Sequence, residues 1–276
     1  MKPSENFVQL PPDFWAHVRL ASEDLGYSSR NTKALRRYES EEIERCLGAR
    51  HLDTRHLAKP IRGTPLKELL AQYLNHRARV LEHTVEPNLM TREQAQAEFE
   101  RLRKTLQPKC HLPLNKQKGE KRHFAYLSGI VNMLTEASLR NVSFDDNPGQ
   151  LTVVTRNGKP LRTLSRRMDG VYPLTTNPIA LWEVKEYYGT TTFGSRVADG
   201  IYESMLDGME LAELQEYEGI HIRHYLIVDD HFTWWTKGKS YLCRIVDMLH
   251  MGLIDEALFG REVLKRWPSI VKGWPK

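Results

Sequence analysis

The residues best suited to chemistry in this chain are Asp169, in Met168-Asp169-Gly170, and Glu183 and Lys185, in Ile179-Ala180-Leu181-Trp182-Glu183-Val184-Lys185. Read as a strand, the second segment alternates. Ile179, Leu181, Glu183 and Lys185 share one face, and Ala180, Trp182 and Val184 share the other. A carboxylate and an ammonium therefore emerge side by side from an apolar run that should be buried. Burying charge costs several kcal/mol per ion unless the ions pair or hold a metal. Asp169 adds a second carboxylate, which a β-hairpin would set on the neighbouring strand. An exposed ion pair worth under about 1 kcal/mol is the bland alternative. The flanking Ile179, Leu181, Trp182 and Val184 argue instead for a central strand.

Asp followed by Glu-x-Lys on adjacent strands is the pattern of the PD-(D/E)xK nucleases, and this chain resembles that superfamily, with Met168 where the motif's name has Pro. The resemblance implies a core of a helix, three antiparallel strands, a second helix and a further strand. The sequence can be read in that order from about His123 to Asp230. His123 to Arg140 carries apolar residues at a helical period. Leu151 to Thr155 reads as a strand, and Asn157-Gly158 is a strong hairpin signal. Leu161 to Val171 returns as the second strand and carries Asp169. Asn177-Pro178 breaks the chain before the Glu183 strand. Ser195 can cap a helix to about Glu216 with Val197, Ile201, Met205, Met209 and Leu211 inward, and Tyr225 to Val228 is the next strand.

What the resemblance implies is phosphodiester hydrolysis with Mg²⁺, or Mn²⁺ in its place. Mg²⁺ prefers carboxylate and water oxygens in octahedral geometry. Asp169 and Glu183 are its expected ligands, with the Val184 carbonyl as a third. Glu136, in the preceding helix, matches the place of an additional acidic residue. Lys185 is expected to orient or deprotonate the attacking water, its pKa lowered by burial and metal. Glu186 should face the opposite side, solvated or paired. The loop Tyr187 to Ser195 opens a helix whose N-terminus favours phosphate oxygens, and Arg196 is placed there for a phosphate contact.

The elements around this group are set by composition and charge. The chain has 276 residues, 40% of them hydrophobic, and a net charge of +5. The run from Arg101 to Arg122 holds eight basic residues against Glu120 alone, and Arg162, Arg166 and Arg167 form a second basic group before Asp169. Such clusters neutralise phosphates, so DNA is the expected partner, with Arg166, Arg167, Lys116, Lys118, Lys121 and Arg122 as contacts. Cys46, Cys110 and Cys243 are odd in number and far apart, which argues against disulfides or a zinc site and fits a reducing cytoplasm. No apolar run is long enough for a membrane span, and the N-terminal residues lack a signal-peptide pattern.

Upstream, Pro65 to His83 reads as a helix with one apolar stripe, and Thr91 to Gln94 as a capping box opening another. These helices must pack on each other, on the core or on a second copy of the chain, so a homodimer is among the expected assemblies. The C-terminal segment from Tyr241 to Leu264, with two short helical patterns and then Trp267 and Trp274, should pack on the core. The reading is therefore a helical region with a basic connector over 1–119, then an α/β restriction-endonuclease-like domain over 120–276 with a central mixed sheet flanked by helices. A type II restriction endonuclease is the first expectation. Another DNA-processing or phage-defence nuclease, a non-catalytic DNA-binding protein of the same fold, and a helical interaction protein are the alternatives.

Overall fold

The computed structural model describes every residue except 30–33, 116–118, 120–121, 141, 189–193 and 276. Lys116, Lys118 and Lys121, and the stretch Gly189 to Phe193, thus lie outside the described residues. Three helices open the chain: α1 (Pro12–Leu25), α2 (Ser40–Ala49) and α3 (Leu66–Val80), with a two-stranded ribbon of β1 (Pro60–Ile61) and β2 (Thr64–Pro65) before α3. Their apolar stripes meet in one cluster around Phe14, Trp15, Ile43, Leu70 and Tyr73. The cluster is tied to the rest of the molecule through buried Arg77, which donates to both oxygens of Asp247 at 3.0 and 2.9 Å.

α4 (Arg92–Leu106) starts at the expected capping box, Thr91 and Gln94 exchanging side-chain and backbone bonds. It packs on α5 (Tyr126–Leu139), and Gly129 permits the approach, since a Cβ there would lie 2.4 Å from the Phe99 ring. Arg101 and Arg103 therefore belong to a helix packed on the core and not to a connector.

A hairpin of β3 (Val153–Arg156) and β4 (Lys159–Thr163) follows, turning at Asn157-Gly158 with both φ angles positive. The strand expected over 161–171 is broken. β4 stops at Thr163, Ser165 donates its N–H and hydroxyl to Glu210, and pairing resumes only at β5 (Gly170–Tyr172) in a different sheet. That sheet has the order β5-β6-β7-β8, with β6 (Ala180–Glu186), β7 (Arg223–Asp229) and β8 (Glu256–Phe259) parallel and β5 antiparallel. The crossovers are α6 (Ser195–Glu218) and α7 (Lys239–His250), and α8 (Glu262–Lys272) is the last helix, followed by Trp274. β8 was absent from the expected C-terminal pattern, because its four residues are all buried and show no alternation.

The sheet is covered on both faces. Trp182, Tyr225, Ile227 and Leu258 pack with α4, α5 and α8, including Trp267 and Trp274. Leu226, Val228, Ala257 and Phe259 pack with α3, α6 and α7. The result is a mixed sheet flanked by helices after a helical N-terminal region, as expected. Among the described residues no helix is long and apolar enough to cross a membrane.

β5 is short, and its register on β6 (Gly170 opposite Trp182) fixes where Asp169 falls. A Cβ at Gly170 would sit 2.2 Å from the rigid Trp182 ring. Gly170→Ala should therefore cost about 1–3 kcal/mol through overpacking. Urea unfolding checks this, and an unchanged midpoint would contradict the register argument.

Candidate active site

Met168 is buried, and Gly170 lies flat on Trp182, so the side chain between them, Asp169, projects into an open cleft of about 420 Å³. Beyond Gly170 no backbone strand continues alongside β6, and the Asp169 carboxylate takes that place, Oδ2 accepting the Val184 N–H at 2.8 Å. In an extended strand the N–H and C=O of one residue project toward the same edge, so the Val184 carbonyl emerges on the Asp169 side. The alternation read from the sequence puts Glu183 and Lys185 together against α6. Lys185 Nζ lies 3.0 Å from Glu183 Oε2.

Glu183 is fully buried, and it is paired with more than Lys185. Arg166 Nη1 lies 2.9 Å from its Oε1, and Arg166 Nη2 donates to its Oε2 at 3.1 Å. Arg166 is held in turn by Asp207 at 2.7 Å and Glu203 at 3.4 Å, while Lys185 also donates to Glu203 at 2.8 Å. Burial opposes ionisation of Glu183, but Lys185 and Arg166 outweigh it and hold its pKa below the usual carboxylate range. Burial likewise pulls Lys185 down, yet Glu183 and Asp169 prevail and hold it above an ordinary lysine. The expected lowering of the Lys185 pKa is thus reversed in the metal-free protein, where it remains an ammonium.

Asp169 differs from its neighbours. Crowding by the cleft walls, and then the Glu183 charge, push it up to about 7, although its side chain is open to solvent and Lys185 pulls the other way. Burial pushes Asp207 up to about 7 against the pull of Arg166.

The structure reassigns several expected residues. Arg166 lines the cleft but serves as a partner of carboxylates. Arg167 and Arg122 are exposed and do not line the cleft. Arg196 does line it, exposed in the first turn of α6, whose N-cap is Gly194 without any side-chain bond from Ser195. Tyr187 and Tyr188 are buried, and Met209 is half-exposed at 51%. Glu136 is not brought to the group. One turn earlier, Ser128 and Asn132 line this cleft, whereas Glu136 lines a second hollow and accepts the Lys109 N–H at 3.0 Å. Glu186 is paired with the N-terminus of α5, accepting the Leu127 and Ser128 N–H groups at 3.0 and 3.1 Å.

α6 supplies what the sequence reading missed. Asp199, Glu203 and Asp207 recur every fourth residue, so one face of this helix presents acid to the cleft or to Arg166. That spacing was a readable signal. Gly200 lets this face close on β6, as a Cβ there would meet the Tyr187 hydroxyl at 2.6 Å and the Lys185 stem at 3.4 Å. Among the described lining residues, Asp146, Asp169, Glu183, Glu186, Asp199 and Glu203 stand against Arg166, Lys185 and Arg196. The cleft of this basic chain is acidic.

The raised Asp169 pKa fixes the sign of a stability effect. Below pH about 4 the group is neutral in both states and contributes nothing. Between about 4 and 7 only the unfolded chain ionises, and above 7 the folded chain bears the full cost. Asp169→Asn should therefore raise the Tm of the metal-free protein at pH 8 and leave it unchanged at pH 4. Exposure limits the gain to about 1 kcal/mol, or roughly 2–4 °C. Melts in EDTA at both pH values check this, and a fall of many degrees at pH 8 would make Asp169 a structural ion partner.

Residues 1–84 match the model of a second family, Domain of unknown function (DUF7690). No curated protein and no solved structure matches the chain. Residues 90–274, more than half of the chain and the part that contains β3 to α8 and the whole cleft, match the model described as Domain of unknown function (DUF7687), and the chain belongs to that family.

Proposed function

We propose that this protein is a divalent-cation-dependent endodeoxyribonuclease of the restriction kind. The observation that carries the reading is the convergence of Asp169, Glu183 and Lys185 where β5 gives out beside β6, inside an acidic cleft of a basic chain. An acidic cleft repels phosphate unless cations intervene, so a nucleic-acid substrate and a hard cation go together here.

The residues present fit Mg²⁺. The donors are oxygens, Asp169 is open to the cleft, and Glu183 Oε1 has no hydrogen-bond partner of good geometry despite the nearby guanidinium. Among the described residues no group of three or more His, Cys, Asp or Glu is spaced as a metal cage. Mg²⁺ suits such a sparse site, because it keeps several waters. A bound divalent cation supplies an activated water and charge neutralisation at phosphate. Lys185 enters as an ammonium, oriented by Glu183 and Glu203, and donates to the water or to the developing phosphate charge. Arg196, at the rim, takes a substrate phosphate. Asp207 and Glu203 keep Arg166 beside Glu183, which holds that carboxylate ionised before any cation arrives.

One rival draws on a specific observation. With Arg166 and Lys185 already on Glu183, the same fold could bind DNA without cutting it. Incubation with methylated and unmethylated plasmid, in Mg²⁺ or in EDTA, separates the two. Discrete fragments in Mg²⁺ alone support a restriction enzyme, a smear supports a less selective nuclease, and a gel shift without cleavage supports the rival.

Asp169→Ala, Glu183→Ala and Lys185→Ala should each reduce cleavage by roughly 10²–10⁴-fold with the fold retained. Because the three act as a unit, a double variant should lose little beyond a single one. Cleavage rates with circular dichroism check this. A single variant at wild-type rate, or losses that multiply, would contradict the assignment.

A further inference from the structure

Between β7 and α7 the chain makes a wide π-helical turn, His231–Lys237, that takes no part in the chemistry above. From His231 to Val246 the sequence holds Phe232, Trp234, Trp235, Tyr241, Lys237, Lys239 and Arg244, and no acidic residue. Trp234 is the anchor. Its ring is fully buried 5.5 Å from Tyr187, and its Nε1 donates to the Lys185 carbonyl at 3.3 Å. Phe232 is 56% exposed, and Trp235 is half-buried, one side packed on the core and the rest open.

Cations lie over these rings. Lys237 Nζ is 5.6 Å from the Phe232 centroid and Lys239 Nζ is 4.5 Å from that of Trp235. Arg244 is 5.9 Å from the Tyr202 ring and 5.6 Å from that of Tyr241, and it donates to the Tyr202 hydroxyl at 3.1 Å. Tyr202, 51% exposed, precedes the cleft-lining Glu203 on α6, which ties the patch to the helix that walls the cleft. Neither Lys237 nor Arg244 reaches a carboxylate within salt-bridge distance among the described residues.

We propose that Phe232, Trp235, Tyr202, Lys237, Lys239 and Arg244 form a docking surface for single-stranded DNA beside the cleft, an inference that rests on the DNA-directed reading of the protein. Exposed rings interleaved with cations suit a polyanion that also offers flat π-faces. A duplex hides those faces in its own stack, whereas an unpaired strand lays successive bases on rings and phosphates on the cations. The hydrogen bond from Trp234 to the Lys185 carbonyl fixes this turn relative to the strand that carries Lys185.

The test is fluorescence anisotropy of the full chain in EDTA with labelled oligothymidine, the matching RNA, a duplex of equal length and poly-glutamate as probes. Oligothymidine should bind, and its binding should depend on the patch more than that of any other probe. Phe232→Ala and Trp235→Ala should each weaken it roughly tenfold, as expected for lost base stacking, with the salt slope intact. Trp235→Phe should restore binding, and an unchanged Tm in Trp235→Ala separates stacking from a packing defect. Lys237→Gln with Lys239→Gln should flatten the slope of log affinity against log salt by up to about 0.7 per phosphate contact. Unaltered oligothymidine affinity in Phe232→Ala, a loss of duplex, RNA or poly-glutamate binding in the patch variants as large as that of oligothymidine, or no binding of oligothymidine would overturn the proposal. Plasmid cleavage in Mg²⁺ by the same variants is the companion measurement. Metal-dependent cleavage with normal oligothymidine binding would reject the patch and keep the nuclease reading, and patch-dependent binding without cleavage would do the reverse.

Discussion

A carboxylate with no exposed surface stays ionised only if cations are held against it, and most of the site is arranged around meeting that demand for Glu183. Lys185 and Arg166 supply the charge. Arg166 is itself half-buried and needs carboxylates of its own, which α6 provides through Asp207 and Glu203. α6 can provide them only by lying close on β6, and Gly200 permits that approach. Removing both cations would leave a buried charge uncompensated, whereas loss of either one leaves the other on Glu183. The same network draws Asp169 in, because the Glu183 charge acts on it across the end of β5.

Local patterns made much of this legible. The alternation over residues 179–185 set Glu183 and Lys185 on one face, Asn157-Gly158 gave its hairpin, and Thr91 with Gln94 gave its capping box. What escaped the sequence depended on partners far along the chain. Arg166 looked like a phosphate contact because its carboxylates lie on β6 and α6, beyond the hairpin. The strand expected to carry Asp169 broke because Glu210 holds Ser165 and turns the chain out of the hairpin. Asp169 nevertheless reached β6, since its position is set by the pairing of Gly170 with Trp182 and not by β4. Glu136 failed on helix geometry, being one turn beyond Asn132 and outside the cleft. The acidic repeat Asp199, Glu203, Asp207 was readable and became meaningful only when the sheet face it covers was known.

The distribution of charge links the fold to the proposed reaction. The chain carries a net +5, yet six carboxylates against three cations line the cleft that holds Asp169. In the proposed reading a long-range pull on polyanions and a local demand for cations are different functions, and they fall in different places. The aromatic and basic turn after β7 stands on the first side of that division and the cleft on the second, with Trp234 joining them mechanically through the backbone of Lys185.

The central claim is that a divalent cation takes Glu183 and Asp169 as ligands, in place of Arg166 on Glu183. Crystals soaked in Mn²⁺ and measured for anomalous scattering address it directly. The account predicts a peak within coordination distance of both Asp169 and Glu183, with Arg166 withdrawn from Glu183 and still on Asp207. A map without a peak there, with the Arg166–Glu183 pair unchanged at high Mn²⁺, would contradict it.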